Sequence, residues 1–152
     1  MAIVEHSIDI DAPADFVSQV SQDYGVRYEW DPFPESIAVV CGSMNPPSIG
    51  TQVRVRSRLG MEMLVEFVQL DHPHRAAIKM VKGHAAIERF AGSWIFESAG
   101  PHATVARFRY AISTRPAWLG WLGDRLAAAY FSRTTRKRLR GLKRYCEACK
   151  PS

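Results

Sequence analysis

Polar and apolar residues alternate through most of this chain, and the period lengthens only at its end. Ile3 to Asp11 alternates loosely, with Ile8 and Ile10 on one side and Ser7, Asp9 and Asp11 on the other, which predicts a strand. Asp11-Ala12-Pro13 then predicts a helix start, with Asp11 as cap, Pro13 in the first turn and Phe16, Val17 and Val20 buried. Tyr24 to Pro34 is a break around Gly25, Pro32 and Pro34, and Arg27 to Asp31 within it predicts a short second helix. Strands follow at Ile37–Cys41, Thr51–Arg58, Met61–Leu70, Ala76–Val81, Glu88–Glu97 and Thr104–Ser113. Between them lie an Asn45-Pro46-Pro47 loop, a Leu59-Gly60 turn and an Asp71-His72-Pro73-His74 turn. Phe90, Trp94 and Phe96 share one strand face, as do Phe108, Tyr110 and Ile112, while Arg107 and Arg109 take the other.

Pro116 opens a closing helix over Ala117–Lys150, which Gly120 and Gly123 could divide. At about 100° per residue, Ala128, Phe131, Thr135, Leu139, Leu142, Cys146 and Cys149 form one stripe and should face the sheet. Leu119, Leu122, Leu126 and Tyr130 form a second stripe on the opposite side, continuing into Arg133, Lys137, Arg140 and Arg144. The expectation is that loops cover its apolar part or that it precedes a kink. The alternative is an apolar-then-basic surface for a membrane or a partner. The plan as a whole is α+β: an antiparallel sheet of about six or seven strands, two short helices after the first strand, and a long terminal helix gripped by the sheet.

Composition narrows the setting. A chain of 152 residues with 47% apolar and 23% charged residues reads as one globular domain over 1–152. It has neither a long apolar run nor a signal-peptide pattern, which suggests a cytoplasmic protein. Three cysteines (Cys41, Cys146 and Cys149) suggest reduced thiols rather than a disulfide framework. The net charge of +5 is local: residues 117–152 hold nine Lys/Arg and two acids, a net +7, leaving −2 for the first 116. Such a face can attract an anionic membrane surface through Arg133, Lys137, Arg140 and Arg144. Arg54, Arg56 and Arg58 share a strand face, but the strand aromatics point the other way, which disfavours nucleic acid.

Four stretches carry a resemblance to a known family. They are Ser7 to Val17, Tyr28 to Phe33, Gly92 to Glu97 with Thr104-Val105 and Arg109-Tyr110, and Leu142 to Glu147. In that order they resemble the START-like (SRPBCC) superfamily, in its polyketide cyclase/dehydrase and lipid-transport branch. The resemblance implies a helix-grip fold with an elongated apolar cavity between sheet and last helix. It also implies binding or transport of a lipid, quinone or polyketide, or cyclase/dehydratase chemistry in the same cavity. Fold alone does not choose between carrier and enzyme.

The expected cavity lining is Trp30, Phe33, Met61, Met63, Met80, Phe90, Trp94, Phe108, Tyr110, Phe131 and Leu139, a set rich in rings and adaptable Met. The same residues would equally build a filled core. His84, Tyr110 and Asp31 are the candidates for proton transfer or ligand orientation. Each has a plainer role: His84 as a loop residue, Tyr110 as a core tyrosine, Asp31 as the end of the short helix. Asp71, His72 and His74 surround a turn proline and read as solvated rather than metal-binding. Cys146 and Cys149 fall on the buried stripe and read as structural. No phosphate loop or nucleophile elbow is present, and no metal or cofactor is expected.

Overall fold

A computed structural model describes residues 2–23, 26–32, 34–42, 48–57, 60–115, 118 and 120–149. The strands are β1 (Ala2–Ile10), β2 (Pro34–Cys41), β3 (Gln52–Ser57), β4 (Glu62–Asp71), β5 (Arg75–Lys82), β6 (Ile87–Ser98) and β7 (Thr104–Thr114). The helices are α1 (Ala14–Gln22), α2 (Arg27–Trp30) and α3 (Gly120–Cys149). The strands form one antiparallel seven-stranded sheet in the order β1-β7-β6-β5-β4-β3-β2. Each strand from β2 to β6 pairs with the next in sequence, and β1 returns to lie beside β7. This is the expected α+β helix-grip plan.

Strand alternation sets what lies inside. On β6, Phe90, Gly92, Trp94 and Phe96 are buried; on β7, Ala106, Phe108, Tyr110 and Ile112 are buried. Register aligns these side chains across the sheet. Val4 pairs with Tyr110, Tyr110 with Gly92, and Gly92 with Ile78. The neighbouring row runs His6, Phe108, Trp94 and Ala76. Phe108 lies 4.4 Å from Trp94 and 4.5 Å from Tyr110 between ring centroids, both edge-on. Gly92 permits this crowding: a Cβ there would sit 3.3 Å from Phe108 and 3.4 Å from Tyr110. Each ring so buried contributes on the order of 1.5–3 kcal/mol.

α3 packs mainly on β1 and β7. Its buried residues are Asp124, Phe131, Thr135, Arg138, Leu139, Leu142 and Cys146. Most of the expected stripe therefore faces inward, with two corrections. Cys149 is exposed, because the helix has run past the sheet by its last turn. Arg138 points inward, although it carries a charge. The helix is continuous from Gly120 and is not divided at Gly123. Leu122 and Leu126 are 43% and 65% exposed, so the expected cover over the second stripe does not exist at these two residues.

The start of α1 also differs from expectation. Pro13, not Asp11, occupies the N-cap, and no side chain caps the helix. The Asp11 backbone N–H instead donates to Glu147 Oε2 on α3 at 3.0 Å. Thr104 Oγ1 donates to the Ala12 carbonyl at 2.7 Å, which ties the same corner to β7. Tyr24, Gly25, Phe33, the Asn45-Pro46-Pro47 loop, Arg58, Leu59, Pro116, Ala117, Leu119 and Lys150 lie outside the described residues.

Candidate functional site

The sheet's inner face is not filled evenly. α3 covers the β1–β7 end. Beyond it, a cavity of 60 Å³ lies against the inner faces of β2 to β7, under the ends of α1 and α2. Its apolar wall includes Val53, Met63, Phe67, Phe90, Trp94 and Phe108. Among the described residues its polar lining is Gln22, Arg27, Tyr110 and Arg138: two cations and no acid. The volume is far below the roughly 300 Å³ at which sites for drug-sized ligands begin. Rings and Met63 therefore fill much of the space the fold encloses.

The polar end is built around one ion pair. Asp31, 1% exposed, follows the last turn of α2, and its backbone N–H donates to the Arg27 carbonyl at 2.9 Å. Arg138, 6% exposed, donates from Nε to Asp31 Oδ1 at 3.0 Å and from Nη2 to Oδ2 at 2.8 Å. Arg27 Nη1 donates to the same Oδ2 at 3.1 Å. Among the described residues, two buried guanidinium groups thus share the Asp31 carboxylate. Arg138 lies 4.8 Å from the Phe108 ring centroid and 5.5 Å from that of Trp94, while Arg27 lies 5.0 Å from that of Trp30. Burial alone would lower the pKa of Arg138, but the Asp31 carboxylate and the Tyr110 oxygen outweigh it and raise the pKa above the ordinary arginine value.

Gly141 makes this junction possible. A Cβ at that position would fall 2.0 Å from the Trp30 carbonyl oxygen. Only a glycine lets α2 sit on α3 closely enough for Asp31 to meet Arg138 one turn earlier.

Tyr110 links the ion pair to the cavity. Its hydroxyl oxygen accepts a hydrogen bond from Arg138 Nη1. Its own O–H proton has no acceptor among the described residues. Burial raises the Tyr110 pKa against the opposing pull of Arg138, so the phenol stays protonated and can donate at neutral pH. Gln22 Oε1 is also buried without a hydrogen-bond partner among the described residues.

The expected site residues scatter in an informative way. Met63, Phe90, Trp94, Phe108 and Tyr110 line the cavity. Trp30 is buried behind it, edge-on to Trp94 at 5.9 Å between centroids. Phe131 and Leu139 are core contacts of α3, and Met61 and Met80 are half-buried against that core. Phe33 lies outside the described residues. Asp31 is enclosed in the ion pair. His84 is exposed on the β5–β6 turn, where Nδ1 accepts from the Ala86 N–H at 3.1 Å. Asp71, His72 and His74 are exposed, and among the described residues no acid, His or Cys cluster could hold a metal. Arg27 and Arg138 were missed from the sequence because charge usually marks a solvent position. Spacing could have found Arg138: it lies three residues after Thr135 and four before Leu142, within the buried arc.

The sequence matches the model of the family described as polyketide cyclase / dehydrase and lipid transport over residues 1–147. The chain belongs to this family. Solved structures agree on the fold. The Zhui aromatase/cyclase from Streptomyces sp. R1128 is 18% identical with a TM-score of 0.82, covering 99% of each chain. TTHA0849 from Thermus thermophilus is 20% identical with a TM-score of 0.80, covering 99% of this chain and 100% of that one. The di-domain ARO/CYC BexL from the BE-7585A biosynthetic pathway is 18% identical with a TM-score of 0.79. That match covers 97% of this family member and 47% of BexL, so the chain spans about half of BexL's length. At such identities the likenesses establish the helix-grip fold alone. No curated protein matches the sequence. Among the described residues no helix is long and apolar enough to cross a membrane.

Proposed function

We infer that this family member binds an apolar, ring-bearing small molecule that carries an acidic or anionic group. The observation behind this is a cavity walled by aliphatic and aromatic side chains, with Tyr110, Arg138, Arg27 and Gln22 at its polar end and no acid among the described residues of its lining. The apolar wall supplies affinity in proportion to buried area, about 25 cal/mol per Å² before ordering costs. The two guanidinium groups at that end favour an anion in surroundings that screen charge poorly. The Tyr110 proton is directed to a ligand oxygen. Met63 and the rings beside it must shift outward to admit a whole ligand, a motion that flexible Met tolerates.

The test compares two probes of similar size. One is the anionic 1-anilinonaphthalene-8-sulfonate and the other the neutral N-phenyl-1-naphthylamine. The anion is expected to bind at least about tenfold tighter, equivalent to about 1.4 kcal/mol. Ala76→Phe and Ile78→Phe, which project new bulk into the cavity, should abolish binding of both while circular dichroism stays unchanged. Equal affinities for the two probes, or full binding by both filled variants, would sink this reading.

One observation favours a second reading, ring closure on a polyketide. A Tyr O–H beside a buried guanidinium is a ready stabiliser of the oxyanion that forms when a ketone enolises. Under this reading Tyr110→Phe lowers turnover of a linear poly-β-ketone thioester at least about 100-fold while probe binding falls much less. Equal losses in both would leave binding as the sole role.

A further inference from the structure

The exposed side of α3 changes character along its length. Just before its start Trp118 is 77% exposed, and in its first turns Trp121 is 65%, Leu122 43% and Leu126 65% exposed. Leu122 and Leu126 lie one turn apart on the side of α3 that carries the cations, Trp118 stands two residues before the helix, and Trp121 lies about 140° round the axis from Leu126, so the exposed apolar residues wrap the start of the helix. Two large indoles in solvent are unusual on a chain whose other two tryptophans, Trp30 and Trp94, are buried. From Leu126 the same side continues into Arg133, Lys137, Arg140 and Arg144, all exposed. Among the described residues none of these four cations is in a salt bridge. Residues 125–146 contain no Asp or Glu at all. Leu126 to Arg144 spans about 27 Å along the axis, so the cations lie in a row roughly parallel to the helix.

We propose that this face docks onto an anionic phospholipid surface, with the Trp118–Leu126 end inserted at the headgroup boundary and the cationic row lying along the phosphates. Indole rings favour the boundary between headgroups and acyl chains. An amphipathic helix with Trp and Leu at its apolar part and Arg or Lys at its polar part binds anionic bilayers by combining buried apolar area with charge. A nucleic-acid surface would match the cations but give the two leucines and indoles no apolar layer to enter. The proposal does not depend on the cavity being occupied.

The test uses vesicles of pure phosphatidylcholine and of an equal mixture of phosphatidylcholine and phosphatidylglycerol. The full chain should co-sediment with the mixed vesicles at low salt, with a blue shift in tryptophan fluorescence, and bind pure phosphatidylcholine far less. Binding should weaken as salt rises, because the Debye length falls from about 10 Å at 0.1 M to about 3 Å at 1 M. Arg133→Glu/Lys137→Glu/Arg140→Glu should cut affinity by at least about 100-fold, at several-fold for each cation lost near the surface. Trp118→Ser/Leu122→Ser/Leu126→Ser should largely remove the blue shift and weaken binding about tenfold or more. All these residues are exposed, so melting temperature and probe binding in the cavity should stay unchanged. The proposal is overturned by absent binding at low salt, by equal binding to both vesicle types, or by variants that bind like the parent chain. A dimer that Trp121→Ser dissociates would overturn it in favour of a self-interface. RNA that displaces the vesicles would overturn it in favour of nucleic acid.

Discussion

Replacing Arg138 by Met removes the group that holds α2, β7 and α3 to one point. The substitution deletes the Nε and Nη2 bonds to Asp31 and the Nη1 bond to Tyr110. It retains the bond that Arg27 donates to Asp31 at 3.1 Å. Met has similar length and can lie over Phe108 and Trp94, so the packing loss is small and the electrostatic loss dominates. Breaking a buried ion pair from one side costs about 3–5 kcal/mol when the remaining charge is left uncompensated; Arg27 still faces Asp31 here, so the expected loss is about 2–3 kcal/mol. For a domain of this size that corresponds to a melting temperature lower by about 4–12 °C. Urea unfolding followed by tryptophan fluorescence and circular dichroism measures the loss, provided the slope with denaturant stays constant. The companion variants are Asp31→Asn and the double substitution. If the two residues act as a pair, the double variant should be about 1–3 kcal/mol more stable than the summed single losses imply. A loss under about 1 kcal/mol for Arg138→Met, or strict additivity, would show that the pair behaves like an exposed one and that the reasoning is wrong.

Gly141→Ala should destabilise the protein by about 1–3 kcal/mol, since overpacking against the Trp30 carbonyl outweighs the roughly 1 kcal/mol helix gain of alanine; a more stable variant in thermal melts would contradict the close approach. Asp124→Ala should cost about 1–3 kcal/mol, because Asp124 Oδ1 accepts from the Thr114 N–H at 2.8 Å and from its hydroxyl at 2.7 Å; stability unchanged in urea would dismiss that tie. Of the three thiols, Cys41 and Cys149 are exposed and Cys146 is buried. An aromatic disulfide reagent should therefore titrate two quickly in the native protein and the third only on unfolding. Burial, aided by Cys149 and Glu147, pushes the Cys146 thiol up to about 12 from 9.0. The folded state then holds that proton more tightly than the unfolded chain. Its stability contribution is complete below about pH 9 and declines as pH rises towards about 12. Cys146→Ala should flatten that part of the stability profile, and an unchanged slope would count against the assignment.

Local pattern alone carried the order of elements and the inward set on β6 and β7. Side-chain direction in a strand follows the two-residue period, so Phe90, Trp94, Phe108 and Tyr110 could be placed inside before any pairing was known. The helical period did the same for Phe131, Thr135, Leu139, Leu142 and Cys146. What periodicity cannot express is which neighbour arrives on each face. Asp31 and Arg138 are 107 residues apart, and each alone reads as a solvated charge. They become a buried pair only because Gly141 lets α2 close onto α3. Cys149 and Leu126 lie on opposite stripes yet are both exposed, since a stripe is buried only where another element meets it. The cavity has the same origin. α3 reaches β1 and β7 but not the far side of the sheet, and that asymmetry belongs to the assembled layers rather than to any one segment.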